Sequence, residues 1–420
     1  MSVGAARRAL SGRAVLWIGF AVAHLVVALL GLYGMGWPLG DLVTYRVWAE
    51  EADLGVLRMG IDAPWVYPIL AFAPMAAALA LGHEWYEQAW LVIVTGLDAI
   101  AFAVLLGRGV LARGRRIAAW WWMLFIVLLG PVALGRIDAV TVPFAVAGLL
   151  FALGRPRVAA TLLTVGAWIK VWPAALIGAI VVASRRRSEV ALVAAALSAG
   201  VLGVSLLAGS GLNALGFVGE QTGRGLQVEA PGAVPFLWMI AAGDRSHRVY
   251  YDRDILTYQL AGAGVTEVAW WSTPLLVVGV TAVVLAGVRA VRHGATAGRL
   301  LAPLSLAVVI VLILANKVGS PQFATWLIAP IVLQAVLARR RVLVPALAGL
   351  GVALSTQLIY PYLYGWLLIA DPALVLVLTL KVALLALLLG WALVAVWQAG
   401  SAPERRVGRP VGAARSAGEE

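Results

Sequence analysis

Apolar residues dominate the chain in long runs, and short polar or basic segments separate these runs. Several runs hold some twenty apolar residues, about the number that a helix needs to cross a bilayer. The first run covers roughly residues 14–33 and follows Arg7, Arg8 and Arg13. Since no small-residue cleavage site precedes the polar stretch after it, we expect a retained first span and not a signal peptide. The pattern predicts an all-α polytopic integral membrane protein with about 11–13 transmembrane helices.

Arginine clusters between the runs give the predicted orientation. Basic clusters in short loops mark the cytoplasmic side of a membrane protein. Here they are Arg113/Arg115/Arg116, Arg155/Arg157, Arg185 to Arg187, Arg289/Arg292, Arg339 to Arg341, and Arg405, Arg406 and Arg409. Two long polar segments then face outward, a first outer loop at about residues 34–65 and a long outer loop at about residues 209–268. We expect one transmembrane domain over residues 1–400 and a disordered cytoplasmic tail over residues 401–420.

Two apolar stretches do not fit this alternation as single straight spans. The stretch "VAATLLTVGAWIKVWPAALIGAIVVA" has basic residues on both flanks, with Lys170 and Pro173 near its middle. It predicts two half-length helices that meet at "WIKVWP". Inside a membrane, non-helical backbone is tolerated only where it is buried in protein or lines a water-filled cavity. The stretch "YPILAFAPM", with Pro68 and Pro74, predicts the start of a short or re-entrant helix. The topology between residues 66 and 107 is left open.

Composition argues against two other classes of protein, metal-dependent enzymes and nucleic-acid-binding proteins. The chain has no cysteine, and its four histidines lack the spacing of metal ligands, so we expect no metal and no cofactor. The net charge of +12 comes from basic clusters in short loops and at the termini. Cytoplasmic loops of membrane proteins carry an excess of Lys and Arg, which explains these clusters. We therefore expect no nucleic acid partner.

Ionisable residues in or beside the apolar runs need an explanation, since each costs roughly 2.5–3.5 kcal/mol at a helix centre. They are Asp41, Asp98, Arg136, Asp138, Lys170, Lys317 and Asp371. For Asp98 we favour a buried structural hydrogen bond, and for Asp371 a cap or turn. The predicted topology brings Asp41, Arg136, Lys170 and Lys317 to the outer face. They form either interfacial ion pairs with snorkelling side chains or a site that binds a lipid phosphate and uses the acid as a base.

The long outer loop contains the stretch "RGLQVE", with Arg224, Gln227 and Glu229 at close spacing. On its own this stretch is compatible with a solvated loop. Tyr and Trp side chains are frequent after it, which suits both packing at the membrane interface and stacking on a sugar ring.

The order of these features resembles glycosyltransferase family 87. The motifs are Asp41 and Tyr45 after the first span, "VYP" with Tyr67, "WIKVWPAAL" with Lys170, "RGLQVE", and "NKVGSPQFATWLIAP" with Lys317 and Gln322. The similarity covers about residues 14–395. The family comprises actinobacterial polytopic enzymes of the GT-C superfamily, among them the mannosyltransferase of phosphatidylinositol mannoside synthesis.

The resemblance implies a GT-C type fold and a polyprenyl-phosphate sugar donor, usually of mannose. It also implies transfer to a lipid-linked or cell-envelope glycan acceptor on the outer side of a bacterial plasma membrane, with membrane lipids around the spans. An acid of the first outer loop serves as catalytic base in such enzymes, and Asp41 holds that position. Lys170, Arg224 and Gln227 match polar motif positions of the family. Further substrate-binding candidates are Tyr45, Tyr67, Arg136, Glu229, Lys317 and Gln322.

The sequence departs from the family pattern at two places. Phe323 stands where we would expect Tyr, and "GRID", with Arg136 and Asp138, stands where the family often has a neutral amide-containing sequence. The alternative function is a polytopic transporter or lipid flippase, in which intramembrane charges line a translocation path. Transporters commonly have repeated halves, whereas here no repeat is visible and the polar groups gather at one face. This favours the transferase.

Overall fold

Helices form most of the computed structural model, which describes residues 12–220, 223–338 and 341–401. In chain order the helices are α1 Arg13–Tyr33, α2 Gly40–Asp53, α3 Phe72–Leu79, α4 Tyr86–Leu106, α5 Arg113–Leu129, α6 Ile137–Phe151, α7 Pro156–Ile169, α8 Pro173–Ala183, α9 Arg187–Leu207, α10 Gly216–Gly219, α11 Val234–Ala241, α12 Val265–Arg292, α13 Ala297–Leu314, α14 Ile328–Leu337, α15 Leu343–Gln357, α16 Tyr364–Leu368 and α17 Pro372–Ser401. Short 3-10 segments include Ile69–Ala71, Gly130–Ala133 and Pro321–Leu327. Residues 402–420 of the predicted tail lie outside the described residues, as do Arg339 and Arg340.

Eight helical segments of the described chain are long and apolar enough to cross a membrane. They are Arg13–Tyr33, His83–Leu106, Arg113–Ala133, Arg187–Leu207, Val265–Arg292, Ala297–Leu314, Leu343–Tyr362 and Pro372–Ser401. The prediction of a mainly helical, multi-pass membrane protein is confirmed. The eight are fewer than the predicted 11–13 because breaks divide other apolar runs into helices of 10–17 residues.

The break predicted at "WIKVWP" is present. Helix α7 ends at Ile169, and Lys170 has extended backbone with φ −150° and ψ 133°. Helix α8 then begins at Pro173, whose missing N–H and fixed φ suit the first position of a helix. Lys170 therefore lies at the junction of two half-length helices, as the flanking arginines and the proline predict.

The stretch "YPILAFAPM" forms a short helical segment over Ile69–Leu79. Pro68 precedes it in extended conformation, and the long segment His83–Leu106 follows. The short-helix prediction for this stretch is confirmed.

The first predicted outer loop is partly helical, which the sequence interpretation missed. Helix α2 occupies Gly40–Asp53 and buries Leu42, Tyr45 and Ala49, which recur at three- and four-residue intervals on one face. Asp41 lies in its first turn, where the positive end of the helix dipole favours a carboxylate.

A β-hairpin in the long predicted outer loop is the main departure from the all-α prediction. Strands β1 Arg248–Asp252 and β2 Thr257–Ala261 pair antiparallel. The "RGLQVE" stretch runs along the free edge of β2, because Leu260 N donates to Leu226 O at 2.9 Å and Val228 N donates to Tyr258 O at 3.2 Å. The solvated-loop alternative for this stretch is therefore wrong.

The two remaining acids of the sequence analysis have structural roles. Asp98 is buried, and its Oδ2 lies 3.2 Å from His24 Nε2 on α1. Asp371 Oδ1 accepts a hydrogen bond from Ala373 N at 3.0 Å, at the start of α17. The buried hydrogen bond of Asp98 and the capping role of Asp371 are both confirmed.

Gly319 allows two backbone segments to meet. A Cβ at this position would overlap Ala230 N and Glu229 C. Between the same two segments, Gln227 N donates a hydrogen bond to Lys317 O at 3.0 Å. The loop after α13 and the "RGLQVE" stretch are therefore in direct main-chain contact.

We predict that Gly319→Ala separates these segments and lowers the free energy of unfolding by about 1–3 kcal/mol, as overpacking does. Thermal unfolding of the purified protein measures this, and limited proteolysis should cleave faster near residues 223–231. Gly298→Ala is the control, since that glycine in α13 has no neighbouring atom within 4 Å of its Cβ position. An equal effect of both substitutions contradicts the prediction.

Candidate functional site

An ion pair between Arg136 and Asp41 lies at the centre of the site. Asp41 comes from the first turn of α2, and Arg136 directly precedes α6 in extended conformation. Arg136 Nη1 contacts Asp41 Oδ1. The Arg136 side chain is 6% exposed, whereas that of Asp41 is 38% exposed. A buried guanidinium therefore holds a carboxylate that solvent and ligands can reach.

Tyr360 makes a second contact to Arg136. Arg136 Nη2 donates to Tyr360 Oη at 2.7 Å, and the guanidinium carbon lies 5.3 Å from the centre of the tyrosine ring. Two nitrogens of one planar group thus make two contacts in different directions. Lysine offers a point charge and cannot reproduce this geometry.

Tyr45 and Tyr67 extend the site beyond the ion pair. Tyr45 lies one turn after Asp41 on α2, and its hydroxyl accepts a hydrogen bond from Ile137 N at 3.3 Å. Its hydroxyl also lies 3.4 Å from that of Tyr67. Lys170 Nζ lies 4.4 Å from the centre of the Tyr67 ring, a cation–π contact. The structure thus brings these predicted residues together from distant parts of the chain.

Three cations gather beside these tyrosines. Lys170 and Lys317 each interact electrostatically with Arg224. Burial lowers the pKa of Lys317, and the positive charge of Arg224 lowers it further. Asp138 interacts with Lys170 and Glu220 with Arg224, so carboxylates balance part of this positive charge, and a bound anion would balance more of it.

Asp138 is a fully buried acid next to the cations, and Lys170 also interacts with its charge. Its Oδ1 accepts a hydrogen bond from Trp326 Nε1 at 2.7 Å, while its Oδ2 has no hydrogen-bond partner among the described residues. The Trp326 ring stacks on Trp172, with 5.5 Å between ring centres. The "GRID" stretch therefore belongs to the site through both of its charged residues, although it departs from the family pattern.

The "RGLQVE" stretch contributes buried polar groups. Gln227 is buried, and its backbone bonds to Lys317. Glu229 Oε2 lies 3.2 Å from Lys381 Nζ, and the two side chains are 1% and 10% exposed. Gln322 is also buried, but within the described chain no hydrogen bond joins its side chain to the ion pair, so its binding role stays a prediction.

The sequence interpretation missed Tyr360, Lys381 and Tyr364, whose ring packs on that of Tyr360 with 5.3 Å between ring centres. Lys381 had a clear signal, since it is an ionisable residue inside the apolar 30-residue helix α17, and the argument applied to Lys170 applies equally to it. The tyrosines had none, because "LIYPYLYGW" looks like any aromatic segment at a membrane interface.

Comparison with family models, with curated proteins and with solved structures finds no match to this chain. The resemblance to glycosyltransferase family 87 therefore depends on the ordered motifs alone. In the described ranges no group of three or more His, Cys, Asp or Glu side chains is placed to hold a metal ion.

We predict that Arg136→Lys lowers the free energy of unfolding by about 1–3 kcal/mol, because one of two buried charge-assisted contacts is lost. Thermal unfolding in detergent measures this loss. Tyr360→Phe removes only the contact to Arg136 Nη2 and should cost about 1 kcal/mol.

Arg157→Lys is the matched control for Arg136→Lys. Arg157 pairs with Glu189, but its side chain is 75% exposed, so the substitution should have little effect on stability. Equal stability of Arg136→Lys and the wild type would show that Arg136 does not hold the site together.

Proposed function

We propose that this chain is a membrane glycosyltransferase with a GT-C type fold. In this proposal the enzyme transfers a sugar, which we expect to be mannose, from a polyprenyl-phosphate donor to a lipid-linked or cell-envelope glycan acceptor. The supporting observation is an accessible carboxylate, Asp41, held by a buried arginine beside the cations Lys170, Arg224 and Lys317. An acid that faces a ligand next to a set of cations suits proton removal coupled to the departure of a phosphate.

The basic clusters support an outward-facing site. Helix α12 ends at Arg292, α13 then runs from Ala297 to Leu314, and Lys317 of the site follows directly. The arginines of the α12–α13 turn thus lie at the opposite end of α13 from the site. By the positive-inside bias this end is cytoplasmic, which supports our proposal of a site at the outer face of a bacterial plasma membrane.

The chemistry that we propose is a single displacement. The acceptor hydroxyl oxygen attacks the anomeric carbon, and its proton passes to the Asp41 carboxylate. The bond between the anomeric carbon and the phosphate oxygen breaks, and its electron pair leaves with the phosphate. The cations balance the charge that develops on the phosphate. One displacement inverts the anomeric centre, so a second carboxylate is not required as a nucleophile.

Sugar transfer in proteoliposomes tests this proposal. Purified protein receives radiolabelled polyprenyl-phosphate mannose and a bacterial membrane lipid extract as the source of acceptors. We expect a labelled product other than the donor, formed only in the presence of the protein. Movement of intact donor between the leaflets without any product would overturn the proposal in favour of a flippase or transporter.

We predict that Asp41→Asn lowers the turnover number by about 10² to 10⁴-fold, because the amide keeps the shape of the side chain but cannot accept the proton. Initial rates of sugar transfer at saturating donor measure this effect. Thermal unfolding shows whether the variant is folded, since Arg136 loses its charged partner. Asp53→Asn, at the exposed end of the same helix, is the control and should leave the rate unchanged. Near-wild-type transfer by Asp41→Asn would remove Asp41 from the mechanism.

Arg224→Ala tests the cationic group. A charge-assisted contact to a lipid phosphate contributes about 1.5–3 kcal/mol, so transfer at limiting donor or acceptor should fall by roughly tenfold to more than a hundredfold. Arg253→Ala, in the exposed turn of the hairpin, is the control. If both variants show wild-type kinetics at saturating and at limiting substrate, Arg224 has no role in binding.

A further inference from the structure

A basic cavity of about 400 Å³ lies at the start of α7. Its wall includes Arg155, Arg157, Arg186 and Glu189. Helix α7 begins at this cavity and ends directly before Lys170, so the length of the helix separates the cavity from the candidate functional site. Ligand pockets span roughly 300–1,000 Å³, so the cavity is large enough for a small polar group.

Two parallel helices form the cavity. Near the start of α7, Arg157 Nε donates to Glu189 Oε2 of α9 at 3.0 Å. Near the end of α7, Trp168 Nε1 donates to Ser198 Oγ, further along α9, also at 3.0 Å. Since the two contacts follow the same chain direction, α7 and α9 run side by side and begin at the same end. The residue directly before each helix is an arginine that lines the cavity.

The positive charge of the cavity is only partly balanced. Glu189 is paired with Arg157, whereas no carboxylate of the described residues pairs with Arg155 or Arg186. Both of these arginines precede a helix start, where the positive end of the helix dipole disfavours a cation. The positive-inside bias explains arginines in either loop, but it does not require that two loops line one cavity. An anion bound between these arginines would offset the repulsion.

The surroundings of the cavity favour a lipid over a soluble anion. Val158 lines the cavity and is 40% exposed, and Leu192 on α9 is 71% exposed. The buried residues of α9 are Val190 and Ser205, so most of this apolar helix faces the surrounding hydrocarbon. A headgroup in the cavity would leave its acyl chains beside this apolar surface. Basic pockets between spans on the cytoplasmic side are typical sites for anionic lipid headgroups.

We propose that this cavity binds the phosphate headgroup of an anionic phospholipid from the predicted cytoplasmic leaflet. Arg155 and Arg186 donate to the phosphate oxygens, a role that suits the planar guanidinium because it can donate two hydrogen bonds to one phosphate. Three arginines and one glutamate give the cavity a net charge of +2. A headgroup with a negative charge is therefore favoured over a zwitterionic one.

Equilibrium binding to the full chain in micelles of a neutral detergent tests the inference. The probes are dioleoyl phosphatidylglycerol, which is anionic, and dioleoyl phosphatidylcholine, whose choline balances the phosphate. Wild-type protein should bind phosphatidylglycerol at least about tenfold more tightly, in line with a charge-assisted contact. Arg155→Gln/Arg186→Gln should lose most of this preference. Both side chains are exposed, so we expect this variant to fold.

The matched control is Arg292→Gln/Arg299→Gln. These two arginines are also exposed and lie beside the α12–α13 turn, at the same predicted membrane face. Their removal changes the net charge equally and should leave the preference for phosphatidylglycerol intact. An equal loss in both double variants would indicate general attraction to a basic surface and would overturn the inference. An unchanged preference in Arg155→Gln/Arg186→Gln would overturn it as well.

Glu189→Gln gives a prediction of opposite sign. It removes the carboxylate that lines the cavity and should tighten the binding of phosphatidylglycerol several-fold. Weaker or unchanged binding contradicts the inference, and this variant decides if the arginine double variant does not fold.

Inorganic phosphate distinguishes a lipid from a soluble ligand. We expect it to compete with labelled phosphatidylglycerol much more weakly than unlabelled phosphatidylglycerol does, because it lacks the acyl chains that contact α9. Competition of equal strength would assign the cavity to a soluble anion and overturn the lipid as its ligand.

Discussion

The ion pair between Arg136 and Asp41 is the interaction on which the rest of the site depends. A guanidinium that is 6% exposed needs a charged partner, because an unpaired charge away from water is costly. Asp41 provides this partner from helix α2, which follows the first long span. Tyr360, 224 residues after Arg136 in the chain, provides the second contact. Three distant segments are therefore fixed relative to one another by one buried side chain.

The same constraint explains which parts of the site the sequence could predict. Lys170 was correctly placed at a helix break, because a charge, a proline and two basic flanks cannot all be accommodated by one straight apolar helix. The alternation of the spans predicted that Asp41 and Arg136 share one face, and the structure pairs these two residues. The first inference uses the cost of charge in an apolar environment, and the second uses the order of apolar runs and basic loops. Neither depends on the detailed packing.

Packing decided the features that the sequence did not predict. Helix α2 was missed because its apolar residues alternate with charged ones, which made the segment resemble a loop, and its buried face of Leu42, Tyr45 and Ala49 is defined by the core that it covers. The edge contacts of "RGLQVE" depend on the hairpin beside it, and Gly319 matters because two backbones meet there. Lys381 is different, because its position in an apolar helix was sufficient to predict its importance and the interpretation overlooked it.

The balance of charge within the site bears on the proposed reaction. Five cations meet four carboxylates among the described residues of the site, namely Arg136, Lys170, Arg224, Lys317 and Lys381 with Asp41, Asp138, Glu220 and Glu229. The formal surplus is one positive charge. A sugar-linked prenyl phosphate carries about one negative charge, and the prenyl phosphate that leaves carries up to about two. The surplus therefore matches the bound donor. In the proposed reaction Asp41 accepts a proton, so the surplus rises to two as the phosphate gains its second negative charge, and interactions that strengthen as the bond breaks are those that accelerate a reaction.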